Sequence, residues 1–181
     1  MRTTKKLTLS AMMTALSTVI LLLSSLFGLM ELTVGAITSL LVVFVIIEVK
    51  GAYPWLVWLT TSLISLLLFP SKTIGAAYLL VFGVYPILKV YFERLPRVFS
   101  LLVKFAYISV ILATFIFLSE LLLGVPFFEE MPDIAPTLQL WVKVGIVALF
   151  YIAFFAYDMF ITVLVRLYFL KFRDKFKRLF K

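Results

Sequence analysis

Apolar positions along this chain come in long runs and do not alternate. Six stretches, residues 7–27, 32–47, 53–69, 74–92, 99–124 and 140–170, are dominated by Leu, Ile, Val and Phe. Turn chemistry separates them: Gly28, Gly51 with Pro54, Pro70-Ser71, Pro96, and the span from Pro126 to Pro136. A period of two, the mark of a half-buried strand, is absent from every run. Runs of this length match what a helix needs to cross a hydrocarbon layer of roughly 30 Å, about 20 apolar residues. Open strands cannot satisfy their backbone in lipid, whereas helices can. The pattern therefore predicts an all-α, polytopic membrane bundle of six transmembrane helices, forming a single domain over residues 1–181.

Composition points the same way. Of 181 residues, 64% are hydrophobic and 14% charged, whereas soluble domains are nearer half apolar and a quarter charged. Lipid must solvate the surplus. The first run follows Arg2, Lys5 and Lys6, as the core of a secretory signal would, but it is long and lacks a small-residue cleavage site at its end. It reads as the first span.

Charge then sets an orientation. With the N-terminus inside, the cytoplasmic loops and ends hold 15 of the 17 cations, and only Lys72 and Lys143 fall outside. That bias predicts an N-in, C-in topology in the plasma (cytoplasmic) membrane. It also accounts for the net charge of +8 without any nucleic-acid partner. The outer side carries Glu31, Glu120, Glu129, Glu130 and Asp133. Three of these share the longest loop, residues 125–139, with three prolines. The loop is long for a connection between antiparallel helices, and reads as a lid, a binding loop or a stiffened linker.

The chain contains no Cys and no His. Thiol chemistry, disulfides, typical zinc sites, Ser-His and Cys-His catalysis and a histidine pH switch are excluded. No Walker motif occurs, so the chain cannot use ATP by itself. Paired carboxylates are missing from every span. The expectation is a protein that is not an enzyme, with no cofactor and no metal.

The first run is rich in small and hydroxyl residues, and Ala11 and Ala15 form a small-x-x-x-small pair. Such pairs let helix backbones approach closely, against the protein's own helices or a partner's. The stretch Lys5-Lys6-Leu7-Thr8-Leu9-Ser10-Ala11-Met12-Met13-Thr14-Ala15-Leu16 resembles the first helix of the substrate-binding S components of energy-coupling-factor (ECF) vitamin transporters. Length, six spans, the N-in orientation and basic ends match as well. Residues 48–59 and 78–89, with Gly83-Val84-Tyr85-Pro86-Ile87-Leu88-Lys89, resemble uncharacterised S-component-like proteins of Gram-positive bacteria. The resemblance implies that Ala11 and Ala15 dock a coupling transmembrane subunit, that ATPase subunits join the complex, and that a small molecule, such as a vitamin or related micronutrient, is captured on the outer side. No riboflavin, thiamine, folate or biotin signature is present, so no particular substrate follows. By the same analogy Glu31, Lys72, Tyr78, Glu120, Trp141 and Lys143, at or near outer span ends, are the candidate substrate-binding residues. For Tyr78 and Trp141 the plainer alternative is an aromatic belt at the headgroups.

Ionisable residues inside spans are costly and mark function or structural pairing. Asp158 is the deepest, two turns before Arg166. Lys104 and Lys89 lie at similar depths, which predicts an ion pair of Asp158 with one of them. The stretch 166–181 places Phe169, Phe172, Phe176 and Phe180 at helical spacing among seven cations and reads as a basic amphipathic tail on the inner leaflet. Six-span proteins of the rod-shape-determining type, which organise cell-envelope synthesis as scaffolds, offer the alternative function. An acidic outer pocket would favour transport, and a sealed outer face would favour the scaffold.

Overall fold

In a computed structural model, residues 3–28, 30–123 and 136–172 are described; side chains are described for these apart from 118–123, 136–140 and 172. They form helices α1 (Thr3–Phe27), α2 (Glu31–Glu48), α3 (Tyr53–Leu68), α4 (Lys72–Ala77), a π-helical turn (Tyr78–Phe82), α5 (Tyr85–Phe92), α6 (Arg97–Leu123), α7 (Pro136–Leu167) and a second π turn (Tyr168–Phe172). No strand occurs among the described residues. By contacts the chain divides into two compact units, Met1–Arg97 and Val98–Lys181.

Among the described residues, five helical segments are long and apolar enough to cross a membrane: Thr3–Phe27, Glu31–Glu48, Lys72–Phe92, Arg97–Phe117 and Trp141–Lys171. The third predicted span is the apolar helix Tyr53–Leu68, of 16 residues. At 1.5 Å per residue it is about 24 Å long, short of a hydrocarbon core. Pro54 sits in its first turn, where a missing N–H costs nothing, and Pro70 follows its end.

The first unit packs α1 against α2 and α3, with α4, the π turn and α5 closing on α2 and α3. Its core holds Leu21, Val42, Val45, Val57, Phe69, Ile74, Tyr78 and Tyr85, all under 2% exposed. Two tight connections turn the chain back: Gly28 has φ +61°, and Lys50-Gly51 have φ +59° and +73°. The left-handed region is cheap for Gly51 and strained for Lys50. At the start of α4, the Ser71 amide donates to Ser25 Oγ of α1 at 3.0 Å, which satisfies a helix-start donor that lacks an intrahelical partner.

The run 74–92, expected as one continuous helix, is broken in the middle. After α4 the backbone widens into the π turn, in which the Gly83 amide donates to the Tyr78 carbonyl at 2.8 Å. The cause lies in two residues. Pro86 has no N–H to return to the Phe82 carbonyl. Gly83 lets α3 press so close that a Cβ there would lie 2.5 Å from Trp58 Cδ1. Trp58 Nε1 donates to the Leu79 carbonyl at 3.0 Å and so gives a backbone acceptor in the interrupted stretch a partner.

The second unit contains α6 and α7. Lys104 pairs with Asp158, Phe105 with Phe155 and Ser109 with Tyr151. Numbering rises along α6 as it falls along α7, so the two run antiparallel. Much of both helices is apolar and exposed, including Val98, Phe99, Leu102, Val110, Ile152 and Met159. Two expected boundaries move. The first helix starts at Thr3 instead of residue 7, because the lysines ahead of the apolar run are good helix formers although polar. The last starts at Pro136, inside the predicted 125–139 loop, because proline is suited to a first helical turn. The rest of that loop, with Glu129, Glu130 and Asp133, and tail residues 173–181 lie outside the described residues.

Candidate functional site

Two places in the first unit, and one in the second, gather groups that a plain helix bundle does not need. The first is a groove between α1 and α3. Ala11 and Ala15 are exposed, and with Thr14, Thr18, Val57 and Thr60 they line an open cavity of about 560 Å³. Its walls are mostly apolar, because the threonines turn their hydroxyls inward: Thr14 donates to the Ser10 carbonyl and Thr18 to the Thr14 carbonyl. Each hydroxyl is satisfied by its own helix, which leaves methyl groups to face the groove. Ser10 lines the floor of the groove and is buried, and Ser17 is buried away from it. The α1 surface is thus split: Ser17 packs inward, and the Ala11/Ala15 face stays open.

The second place is the break in the fourth segment. Tyr78, chosen from sequence as a substrate-binding residue, is fully buried. Its hydroxyl lies against those of Thr61 and Ser17. Ser62, next along α3, is buried without a hydrogen-bond partner among the described residues. Sequence reasoning passed over Thr61 and Ser62. Only the unusual density of Ser and Thr in an apolar helix, Thr60-Thr61-Ser62 and Ser65, hinted at them.

The third place is the ion pair in the second unit. Lys104 Nζ lies 2.7 Å from Asp158 Oδ2, with each side chain 12% exposed. At that separation it is a charge-assisted hydrogen bond, stronger than a neutral one. Phe105 packs on Phe155 and Tyr151 beside it, which keeps water scarce and the attraction strong. Lys89, the other sequence candidate, is buried in the first unit, 3.3 Å from Glu93 and over the Tyr85 ring.

The remaining outer candidates are placed as follows. Glu31 opens α2, where a negative charge complements the positive end of the helix dipole. Lys72 Nζ donates to the Leu66 carbonyl at 2.8 Å, capping the C-terminal end of α3, where a cation is favoured for the same reason. Trp141 is 71% exposed and Lys143 partly so, both on α7. The Glu120 side chain lies outside the described residues. Within the first unit, Lys72 and Tyr78 do not converge: one caps a helix end, and the other is sealed in the core. No three acidic, Cys or His side chains gather among the described residues in the manner of a metal site.

No family model matches the chain, and neither a curated protein nor a solved structure matches it.

Proposed function

We propose that the chain is a six-span, N-in/C-in protein of the plasma membrane and the substrate-binding S component of an ECF-type transporter. It would capture a small molecule outside, with a coupling transmembrane subunit and ATPase subunits as partners. One observation carries the reading. Ala11 and Ala15, the pair on which the resemblance to S components rests, are both exposed and line an open apolar groove. A groove of small residues admits a partner helix at short range, where dispersion contacts add up. The exposed apolar faces of α6 and α7 suit lipid, and α3, short by several ångströms, suits a crossing aided by local thinning of the bilayer.

The test is affinity purification from native membranes, comparing the wild-type chain with Ala11→Trp and Ala15→Trp. Wild type is expected to bring down ATPase subunits and a coupling subunit. Each tryptophan should abolish their recovery while the melting temperature in detergent stays within a few degrees. Equal recovery with all three chains would sink the docking face. Topology is checked separately. A reporter fused after Lys181 should read cytoplasmic and one inserted beside Asp133 external, from the 15-to-2 cation bias. A cytoplasmic signal at Asp133 overturns the six-span topology.

One observation favours the scaffold of rod-shape-determining type as a second reading. In the first unit two of the three outer-end candidates are engaged in structure, Lys72 on α3 and Tyr78 in the core, as a sealed outer face requires. Recovery of cell-wall synthesis enzymes in place of ATPases would establish it.

A further inference from the structure

The two ends of the first unit differ in what they expose. At one end α1 and α3 start and α2 and α5 finish, and that end carries Lys5, Lys6, Glu48, Lys50, Glu93 and Arg94. At the opposite end α1 turns into α2, and α3 into α4. The side chains there are large, apolar and more than half exposed: Leu26, Phe27, Met30, Leu32, Leu67 and Leu68. Glu31 and Lys72 are the charges of this end. Between Lys6 and Lys89 the sequence has no others apart from Glu48 and Lys50.

Helix length decides which medium meets the apolar end. α3 has 16 residues. With its charged end held at the headgroups, it stops roughly 6 Å short of the far side of a hydrocarbon core about 30 Å thick. The apolar stretch of α2, residues 32–47, is as short. Polar groups at the same end point to the same medium. The Ser71 amide, at the start of α4, donates to Ser25 Oγ at 3.0 Å. Lys72 Nζ donates to the Leu66 carbonyl at 2.8 Å and reaches the Leu67 carbonyl at 3.4 Å. In water, helix-end amides and carbonyls of this kind can be left to solvent, whereas in hydrocarbon each needs a partner from the protein. Pairing with backbone carbonyls is also how a bilayer interior admits a cation, and the long lysine stem keeps the ammonium near the interface. Glu31 is half-buried in the first turn of α2, where negative charge is favoured.

We propose that the apolar end of the first unit is a lipid-binding surface, lying in the acyl-chain region of the bilayer with acyl chains folded over its exposed side chains. Thinning of the bilayer beside α3 and acyl chains closing over its end are then two parts of one response to short segments. The inference rests on the membrane-spanning part of the proposed function and is independent of transport and of docking.

The chain has no Cys, so a single introduced cysteine can carry a spin label in the full chain, reconstituted in phosphatidylcholine vesicles. Phe27→Cys, Met30→Cys and Leu68→Cys probe the apolar end, Leu59→Cys the middle of α3, and Lys5→Cys the charged end. All five positions are exposed, so a label displaces no packed side chain. Collision of the label with oxygen, which gathers among acyl chains, is compared with collision with a water-soluble nickel chelate. The oxygen-to-nickel ratio at the three end sites is expected to approach that at the Leu59 site and to exceed that at the Lys5 site several-fold. End-site ratios as low as at Lys5, with the Leu59 site still high, would overturn the proposal and leave the membrane reading standing. A low ratio at Leu59 as well would remove the membrane reading together with the proposal. Shielding of the three end labels from both reagents would mean that protein covers this end, and the lipid surface would be ruled out.

Discussion

Replacing Asp158 by Ala is expected to lower the stability of the detergent-solubilised protein by about 3–5 kcal/mol, the usual cost of breaking a buried pair from one side. The Lys104 ammonium, 12% exposed and 2.7 Å from its partner, would be left with its charge uncompensated. The loss belongs mostly to the surviving lysine and less to the bond itself. It follows that Lys104→Ala added to Asp158→Ala should restore part of the stability. Replacing both by apolar residues of similar size, Lys104→Met with Asp158→Leu, should bring the protein close to wild type. The measurement is a double-mutant cycle by chemical or thermal denaturation, with folding followed by circular dichroism. Additive losses, with no recovery in the double variant, would mean that the pair is energetically empty.

The second large effect is expected at Gly83. A Cβ there would stand 2.5 Å from Trp58 Cδ1, 2.8 Å from Tyr78 Cε1 and 2.9 Å from the Tyr78 carbonyl oxygen. The first two belong to ring systems wedged in the core, and the third is backbone, so none yields cheaply. Gly83→Ala should cost about 1–3 kcal/mol, as overpacking does, and should weaken the Trp58 to Leu79 hydrogen bond. Gly145 provides the control. It lies inside α7, and a Cβ added there would meet no heavy atom within 4 Å. There the alanine removes glycine's backbone entropy cost, and Gly145→Ala should stabilise by up to about 1 kcal/mol. Opposite signs from the same substitution are the signature. Equal thermal shifts in the two variants would show that close packing at the break contributes nothing.

The sequence was read most surely where a single physical variable decides. Apolar run length is such a variable, and it fixed the helical class and the approximate position of every long helix. Depth along a helix is another. It placed Lys104 and Asp158 at matching levels because rise per residue is constant. Element ends were read less well: Thr3 and Pro136 begin helices earlier than the hydropathy runs suggest, since helix propensity continues where apolarity stops. The break at residues 78–82 was signalled by Gly83 and Pro86 but not resolved by them, because a proline in an apolar helix can kink it or shift its register, and only neighbours such as Trp58 select one outcome.

Thus the all-helical character and the long apolar segments follow from the sequence alone. They depend on local composition, which every conformation of the chain carries with it. The tertiary structure decided the direction of individual side chains. It turned Ser17 and Thr61 away from their own helices towards Tyr78, set Lys72 on the end of α3, and left Ala11 and Ala15 on an open face while Ser10 was buried. Those outcomes depend on how helices distant in sequence lie against each other. A rotation of one helix by a single residue, about 100°, would exchange the buried and open faces without changing the composition of any run.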